Sequence, residues 1–507
     1  MDTFYEPLRE LQAFEEAEDQ LGKKRGILLF TGCVESQKTH LMYSLGRGWQ
    51  VKLILTYNER KAKEIHEEYQ ALGEEVFYYP AKDFLFFHAD IQGKELLRQR
   101  MRAVNRLLSG QEAVIVTTLD GCMDPLLPPE KLRDLMFTVG TDSVVEMDAM
   151  KLRLVRMGYE RVGQVDMPGQ FAIRGGILDI YPLTEEYPVR IELWDDEVDS
   201  IRSFDPESQR SMENLEELTL YPAAELSPKE HRCEGVSLLS YIQEFRSLVF
   251  LDEVNRLFEQ GETVEKEYRQ NYENRMDKGQ IDPGQEEEIF SCEQVMYWLG
   301  KMRGAAFGAL ETTDRRMELA GRFRLDTRSV QSYNHHFELL VKDLKRWKRE
   351  RYRVVLMCAS RTRGRRLAEE LLAEELNAFY SEEAERVAQP GEIMVVHGNV
   401  FRGYEYPMIR FAVISETDVF GREKKKTRRK QRVYEGRRIS SFTDLSPGDY
   451  VVHENHGLGI YRGIEKIAVD KTVKDYMKIE YSRGACLYIL ATQLDMIQKY
   501  GSTEAQK

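Results

Sequence analysis

The sequence contains no Cys-x-x-Cys pair. Its six cysteines, at 33, 122, 233, 292, 358 and 486, stand apart and show no His/Cys spacing suited to a metal. That excludes a disulfide framework or a zinc finger and predicts reduced, buried thiols, as in a cytoplasmic protein. Long hydrophobic runs are missing as well: none reaches the roughly 18 residues of a membrane span. The opening "MDTFYEPLRE" has no apolar signal core, so no membrane partner is expected. Positive charge is not in excess, since 73 Lys and Arg face 86 Asp and Glu for a net charge of −13. A protein that coats nucleic acid with its whole surface is thereby excluded, and any such contact must be local. One absence is more pointed. "TGCVESQKTH" (31–40) spaces Gly32, Lys38 and Thr39 as a phosphate-binding loop does, but Gln37 stands where the second glycine belongs.

What is present reads as several domains, about three to five for 507 residues. "GILLFTG", "VKLILTY" and "EAVIVTT" are short apolar strands separated by amphipathic helices, the pattern of a helix-covered parallel sheet. Near residue 143 the rhythm changes, and "FAIRGGILDIYP" and "YPVRIELWDDEVDSIRSFD" follow one another as in a small antiparallel insertion. Residues 264–291 are polar and highly charged, a surface helix or excursion. A second βα cycle starts at "RYRVVLMCAS" (351–360). The run 422–438, with ten basic residues against two acidic, reads as a linker that could touch DNA weakly. Glycine-punctuated short strands then predict a small all-β barrel of SH3/Tudor-like type. The expected class is α/β multidomain. A degenerate P-loop-type parallel-sheet domain (1–142 and 223–325) carries an inserted antiparallel α+β domain (143–222). A second α/β domain (326–421), the basic linker (422–440) and the barrel (441–502) follow.

The loop sits between a strand and a helix, where a working P-loop cradles phosphates with backbone amides, Lys and a magnesium-bound hydroxyl. Gln37 should crowd that nest. "SLVFLDE" ends in Asp252-Glu253, which is either a magnesium- and water-handling pair or a solvated strand end. No helicase-type arginine motif follows, and a complete NTPase is not expected. Gly32, Lys38, Thr39, Asp252 and Glu253 form the candidate degenerate nucleotide site, with no catalytic residue and no metal site assigned. In the insertion, Arg161, Arg174 and Arg190 near Tyr159 and Phe171 read either as solvated edge residues or as an arginine-aromatic binding surface. His453 and His456 lack a third ligand and read as structural. In "DYMKIEYS", Tyr476, Lys478 and Glu480 alternate with Met477, Ile479 and Tyr481, so a barrel buries one set and offers the other, or its edge, to a partner.

"MGYERVGQVDMPGQFAIRGGILDIYP…RIELWDDEVDSIRSFDPESQRS" closely resembles the UvrB-homology module of the bacterial transcription-repair coupling factor (Mfd) family. "SPGDYVVHENHGLGIYRGI" through "KIEYSRGACLYILATQLDMIQKY" is similar to that family's CarD-like, RNA-polymerase-interacting module. The resemblance implies a catalytically silent relative of UvrB whose insertion recruits UvrA, and a barrel that grips the RNA polymerase β subunit. It implies that the loop is the relic of UvrB's P-loop, and that the chain by itself is no enzyme and requires no cofactor. In that family ATP and magnesium act through motor lobes, and these are expected to be missing from a chain that stops at "GSTEAQK". Carried over residue by residue, UvrA contacts fall on Arg161 and Arg174, joined by Phe171, with Ala172 at a third arginine's place. Polymerase contacts fall on the 475–481 strand, at Tyr476, Met477, Lys478 and Ile479. UvrB's damage-clamping hairpin should fall near 84–93, where only "LFFHADIQGK" stands. The expected function is an adaptor in transcription-coupled nucleotide-excision repair. The alternatives are a UvrB-like ATP-dependent damaged-DNA-binding protein and a CarD-like transcription regulator.

Overall fold

A computed structural model of the chain describes residues 2–82, 94–228, 231, 233–277, 289–310, 317–383, 385–421, 436–438, 446–453, 457–469, 472–481, 486–490 and 497–500. The first unit is a seven-stranded sheet. Its spatial order is Leu319–Arg324, Gly26–Thr31, Arg303–Phe307, Ser247–Asp252, Val51–Thr56, Ala113–Thr118 and Val76–Tyr79. Every neighbouring pair in it is parallel. Val51–Thr56 and Ala113–Thr118 are buried at every position, as central parallel strands must be when helices cover both faces.

Alternation on the strand Gly26–Thr31 splits the core in two. Ile27 and Leu29 join a cluster that continues into Phe171, Leu178 and Ile191 of the insertion. Leu28 and Phe30 face the other way, into a cluster shared with Val355, Met357 and Val413. One face of the sheet is thus fused to the insertion and the other to the second α/β unit.

The insertion is a six-stranded sheet running from Ser211–Leu215 through Glu197–Phe204, Val189–Trp194, Ile177–Ile180 and Gln170–Arg174 to Glu160–Arg161. Its pairings are antiparallel except the last. A separate ribbon, Phe137–Gly140 with Glu217–Leu220, brings the two ends of this segment together. The second α/β unit orders its strands Arg328–Ser329, Tyr404–Tyr406, Phe411–Ser415, Arg353–Cys358, Ile393–His397 and Ala378–Ser381. Its helix Phe337–Arg349 buries Leu340, Val341, Leu344 and Trp347 on one stripe.

The described C-terminal strands pair antiparallel in the order Gly436–Arg438, Ile497–Tyr500, Tyr450–His453, Gly457–Val469, Thr472–Glu480 and Cys486–Leu490. Among the described residues no pairing joins the two outer strands, and the described strands form a six-stranded antiparallel sheet. Three residues assigned to the basic linker, Gly436–Arg438, are part of that sheet. The rest of the basic run, the 84–93 segment and His456 lie outside the described residues. The charged stretch after residue 264 is helical as far as Asp277, within Val254–Asp277. Cys33, Cys122 and Cys358 are buried, and burial pushes each thiol up to about 12.

Candidate functional site

The strand Gly26–Thr31 delivers the chain to Gly32, whose φ of +76° suits glycine; a Cβ there would meet the Leu325 carbonyl oxygen at 2.1 Å. The helix Glu35–Leu45 then starts at once. Gln37 explains how. Its side-chain carbonyl accepts the Val34 amide at 3.2 Å, and its Nε2 donates to the Tyr406 hydroxyl at 3.0 Å. The residue in the glycine's place therefore caps the helix and ties it to the second α/β unit. Two amides at the start of the loop are bonded within the chain. Gly32 N–H donates to the Ala309 carbonyl (3.3 Å) and Cys33 N–H to that of Gly308 (3.2 Å).

Lys38 and Thr39 are likewise engaged. The Lys38 ammonium donates to Asp252 Oδ1 at 2.8 Å and to Glu253 Oε1 at 2.5 Å. Burial would lower its pKa, but the two carboxylates outweigh that and hold it above the usual lysine value. Asp252 also accepts from the Thr56 hydroxyl at 2.8 Å, and Glu253 from the Ala309 amide at 3.3 Å. The Thr39 hydroxyl donates to Glu68. Glu68, fully buried on the helix Glu59–Ala71, also accepts the Phe401 amide at 2.9 Å; burial pushes its carboxyl up against the pull of those donors. The adjacent Arg402 amide donates to the Ser36 hydroxyl at 3.0 Å. A protein carboxylate thus takes the loop's Thr39 hydroxyl together with an amide of the second α/β unit.

His40 completes the joint. Its Nδ1 lies 3.0 Å from the Tyr406 hydroxyl and its Nε2 2.7 Å from the Phe4 carbonyl, and its ring stacks on Tyr404 at 5.4 Å. Because a carbonyl only accepts, Nε2 carries the proton and Nδ1 accepts from Tyr406. Burial lowers its pKa to about 4, which keeps it neutral. Sequence reading found Gly32, Lys38, Thr39, Asp252 and Glu253, which the fold does bring together. Glu68, His40 and Tyr406 were missed, because their partners lie 29 to 369 residues away along the chain.

A second buried set was also missed. Arg100 and Lys82 meet Asp124 and Glu225, with Arg100 Nε to Glu225 at 2.7 Å and Lys82 Nζ to Asp124 at 3.0 Å. Arg100 and Asp124 are fully buried, and the guanidinium lies 4.2 Å from the Tyr79 ring centroid. Two cations balance two anions there, which makes it an anchor rather than an open site.

On the insertion, Arg161 and Arg174 are exposed on neighbouring strands, and Arg174 donates to the Gly163 carbonyl. Phe171 is not with them at the surface. It is 0% exposed in the core shared with the parallel sheet, because the strand Gln170–Arg174 turns that position inward. Arg190 is consumed by Asp179 (2.6 Å) and lies over the Phe204 ring at 4.6 Å. In the C-terminal sheet, Met477 and Ile479 are 0% exposed while Tyr476 and Lys478 are half-buried. The strand Thr472–Glu480 is also no edge, since strands pair along both its sides. The assignment of Met477 and Ile479 as contacts therefore fails on burial, and only Tyr476 and Lys478 of that set face outward. Among the described residues, no cluster of three or more His, Cys, Asp or Glu is placed to hold a metal. No described helix is long and apolar enough to cross a membrane.

Comparison with known proteins places two modules on this architecture. Residues 137–226 match the UvrB interaction domain, and residues 445–501 match the CarD-like/TRCF RID domain. The chain thus carries one region similar to the UvrB interaction domain and one similar to the CarD-like/TRCF RID domain. Over most of its length it is related to transcription-repair coupling factors. The Bacillus subtilis factor is 31% identical over 522 residues, covering 90% of this chain and 43% of that protein. Those of Staphylococcus epidermidis and Staphylococcus aureus are 27% and 26% identical and cover 97% and 94% of the chain. The chain spans less than half the length of these curated relatives, 43–46%.

Proposed function

We propose that this chain is an adaptor of transcription-coupled nucleotide-excision repair that holds UvrA at its insertion and the RNA polymerase β subunit at its C-terminal sheet. The observation that carries the reading is the coexistence, in one chain, of a UvrB interaction domain at 137–226 and a CarD-like/TRCF RID domain at 445–501. Arg161 and Arg174 are the UvrA contacts: exposed guanidinium groups on adjacent strands can form bidentate bonds with partner carboxylates. Tyr476 and Lys478 are the polymerase contacts, as the outward members of their strand. The loop at Gly32–Thr39 serves as a structural joint, and the chain turns over no nucleotide and needs no ATP or magnesium for its own part. Support for this comes from the capture of Lys38 by Asp252 and Glu253 and of Thr39 by Glu68. Interferometry with purified UvrA and polymerase tests the reading. Both should bind the one chain simultaneously, and failure of either to bind removes the adaptor function.

A further inference from the structure

The second α/β unit lies between the two matched modules, after residue 226 and before residue 445, and neither match assigns it a role. Its helix Phe337–Arg349 buries Leu340, Leu344 and Trp347 and leaves Lys342, Arg346 and Arg349 exposed on the opposite side. At positions i, i+4 and i+7 these cations form a stripe about 10 Å long. Arg346 shares its charge with Asp343 at 3.3 Å. The helix closes with the Arg351 amide donating to the Lys348 carbonyl (3.1 Å) and the Tyr352 amide to that of Trp347 (2.9 Å). That closing turn places Arg351 at φ 60°, in the left-handed position that helices usually give to glycine.

A second left-handed arginine stands beside it. Arg410 ends the short turn Pro407–Ile409 at φ 49°, ψ 50°. The strands that follow the two turns pair in parallel, and the Arg353 amide donates to the Arg410 carbonyl at 2.8 Å. Arg349, Arg351 and Arg410, with Glu350, Tyr352 and Pro407, line one open cavity of about 410 Å³. Among the described residues, none of these three arginines is ion-paired, whereas Arg353 close by is held by Glu10 at 2.6 Å.

The ordinary explanation is that cations at a helix C-terminus complement its dipole. It accounts for Arg349 and in part for Arg351. It does not account for Arg410, which belongs to no α-helix, nor for two bulky residues in backbone positions where glycine is less costly. Strain retained at two adjoining positions, both holding the same side chain, points to use of that side chain.

We propose that this cleft, continued by the Lys342–Arg346–Arg349 stripe, binds the phosphodiester backbone of nucleic acid. Guanidinium groups match phosphate oxygens bidentately, and a linear row of cations tracks a backbone rather than one small anion. The site is independent of base sequence and gives a chain of net charge −13 a local anchor on the nucleic acid.

The test is fluorescence anisotropy of the whole chain against a labelled duplex of roughly 20 base pairs at about 50 and about 200 mM KCl. The double variant Arg351→Gly/Arg410→Gly should weaken binding about tenfold or more and reduce the log–log salt slope by about 2, the loss of two phosphate contacts. Its Tm should hold or rise, because glycine relaxes both turns. Arg349→Gln, at an ordinary helical position, should weaken binding by a smaller factor. Inorganic phosphate at matched ionic strength should not displace the duplex. The proposal is overturned if wild type does not bind at the lower salt, or if the glycine variant binds equally well. It also fails if binding is lost only when Lys424, Lys425 and Lys426 are changed to Gln, or if inorganic phosphate competes specifically. A fall in Tm that accompanies the loss of binding in the glycine variant would make the arginines structural and also end it.

Discussion

Lys38 and Arg174 are both cations in motif positions, yet they meet opposite fates. Lys38 lies between Asp252 and Glu253 with its side chain 9% exposed, and its ammonium is bonded to both carboxylates. Arg174 stands exposed on the insertion, and its one described bond partner is the Gly163 carbonyl. The difference separates two kinds of residue that look alike in a sequence. A buried charge whose needs are met internally is part of the scaffold, and its removal is felt as stability. An exposed charge with spare donors leaves stability nearly unchanged and is available to a partner.

The largest expected effect breaks the buried side of this comparison. Lys38→Ala leaves Asp252 buried without its cation and should destabilise the chain by about 3–5 kcal/mol in urea unfolding. Lys38→Met combined with Asp252→Asn should recover much of that loss. If Lys38→Ala is as stable as wild type, the joint is not closed as described.

Next in size is a pH effect at the same joint. His40 has a pKa lowered to about 4, below the ordinary 6.5 it regains on unfolding. The unfolded chain therefore takes up a proton first as pH falls, and stability should decline between pH 6.5 and about 4, by at most roughly 3 kcal/mol from this group. Chemical denaturation across that range, compared with His40→Gln, checks it: the variant should show a shallower decline. Parallel curves would mean that His40 is not held neutral.

On the exposed side, Arg174→Ala should change stability by less than about 0.5 kcal/mol while weakening UvrA about tenfold, or roughly 1.4 kcal/mol. Charge reversal, Arg174→Glu, should be worse than alanine. The smallest effect belongs to Lys478→Glu, half-buried on the C-terminal sheet, which should slow polymerase association about threefold and chiefly at low salt. Met477→Arg, by contrast, should unfold that sheet, as circular dichroism would report, because the position is fully buried.

The sequence showed part of this pattern and hid the rest for a definable reason. The strand-loop-helix at residues 26–45 and the acidic end of "SLVFLDE" were legible, because each is a local signal of apolar run, glycine and polar terminus. So was the alternation at 476–481, although which set faces inward depends on the neighbouring strands. Phe171 was misread because the Gly175-Gly176 turn and the pairing with Ile177–Ile180 fix a register that periodicity alone left open. Glu68, His40 and Tyr406 carry no motif at all. Their meaning comes from the docking of the second α/β unit onto the helix Glu35–Leu45, a contact between segments more than 300 residues apart. Gln37 shows the same limit: the sequence marks a lost glycine, and the fold supplies the cap and the tie to Tyr406 that it forms instead.

The central claim is the one proposed above, that the loop serves as a structural joint and takes no nucleotide. Thermal unfolding of the wild-type chain with and without about 5 mM Mg-ATP tests it most directly, since a ligand bound to the native state must raise Tm by mass action. The account predicts superimposable curves. A rise in Tm that grows with Mg-ATP concentration, and not with magnesium alone, would contradict it.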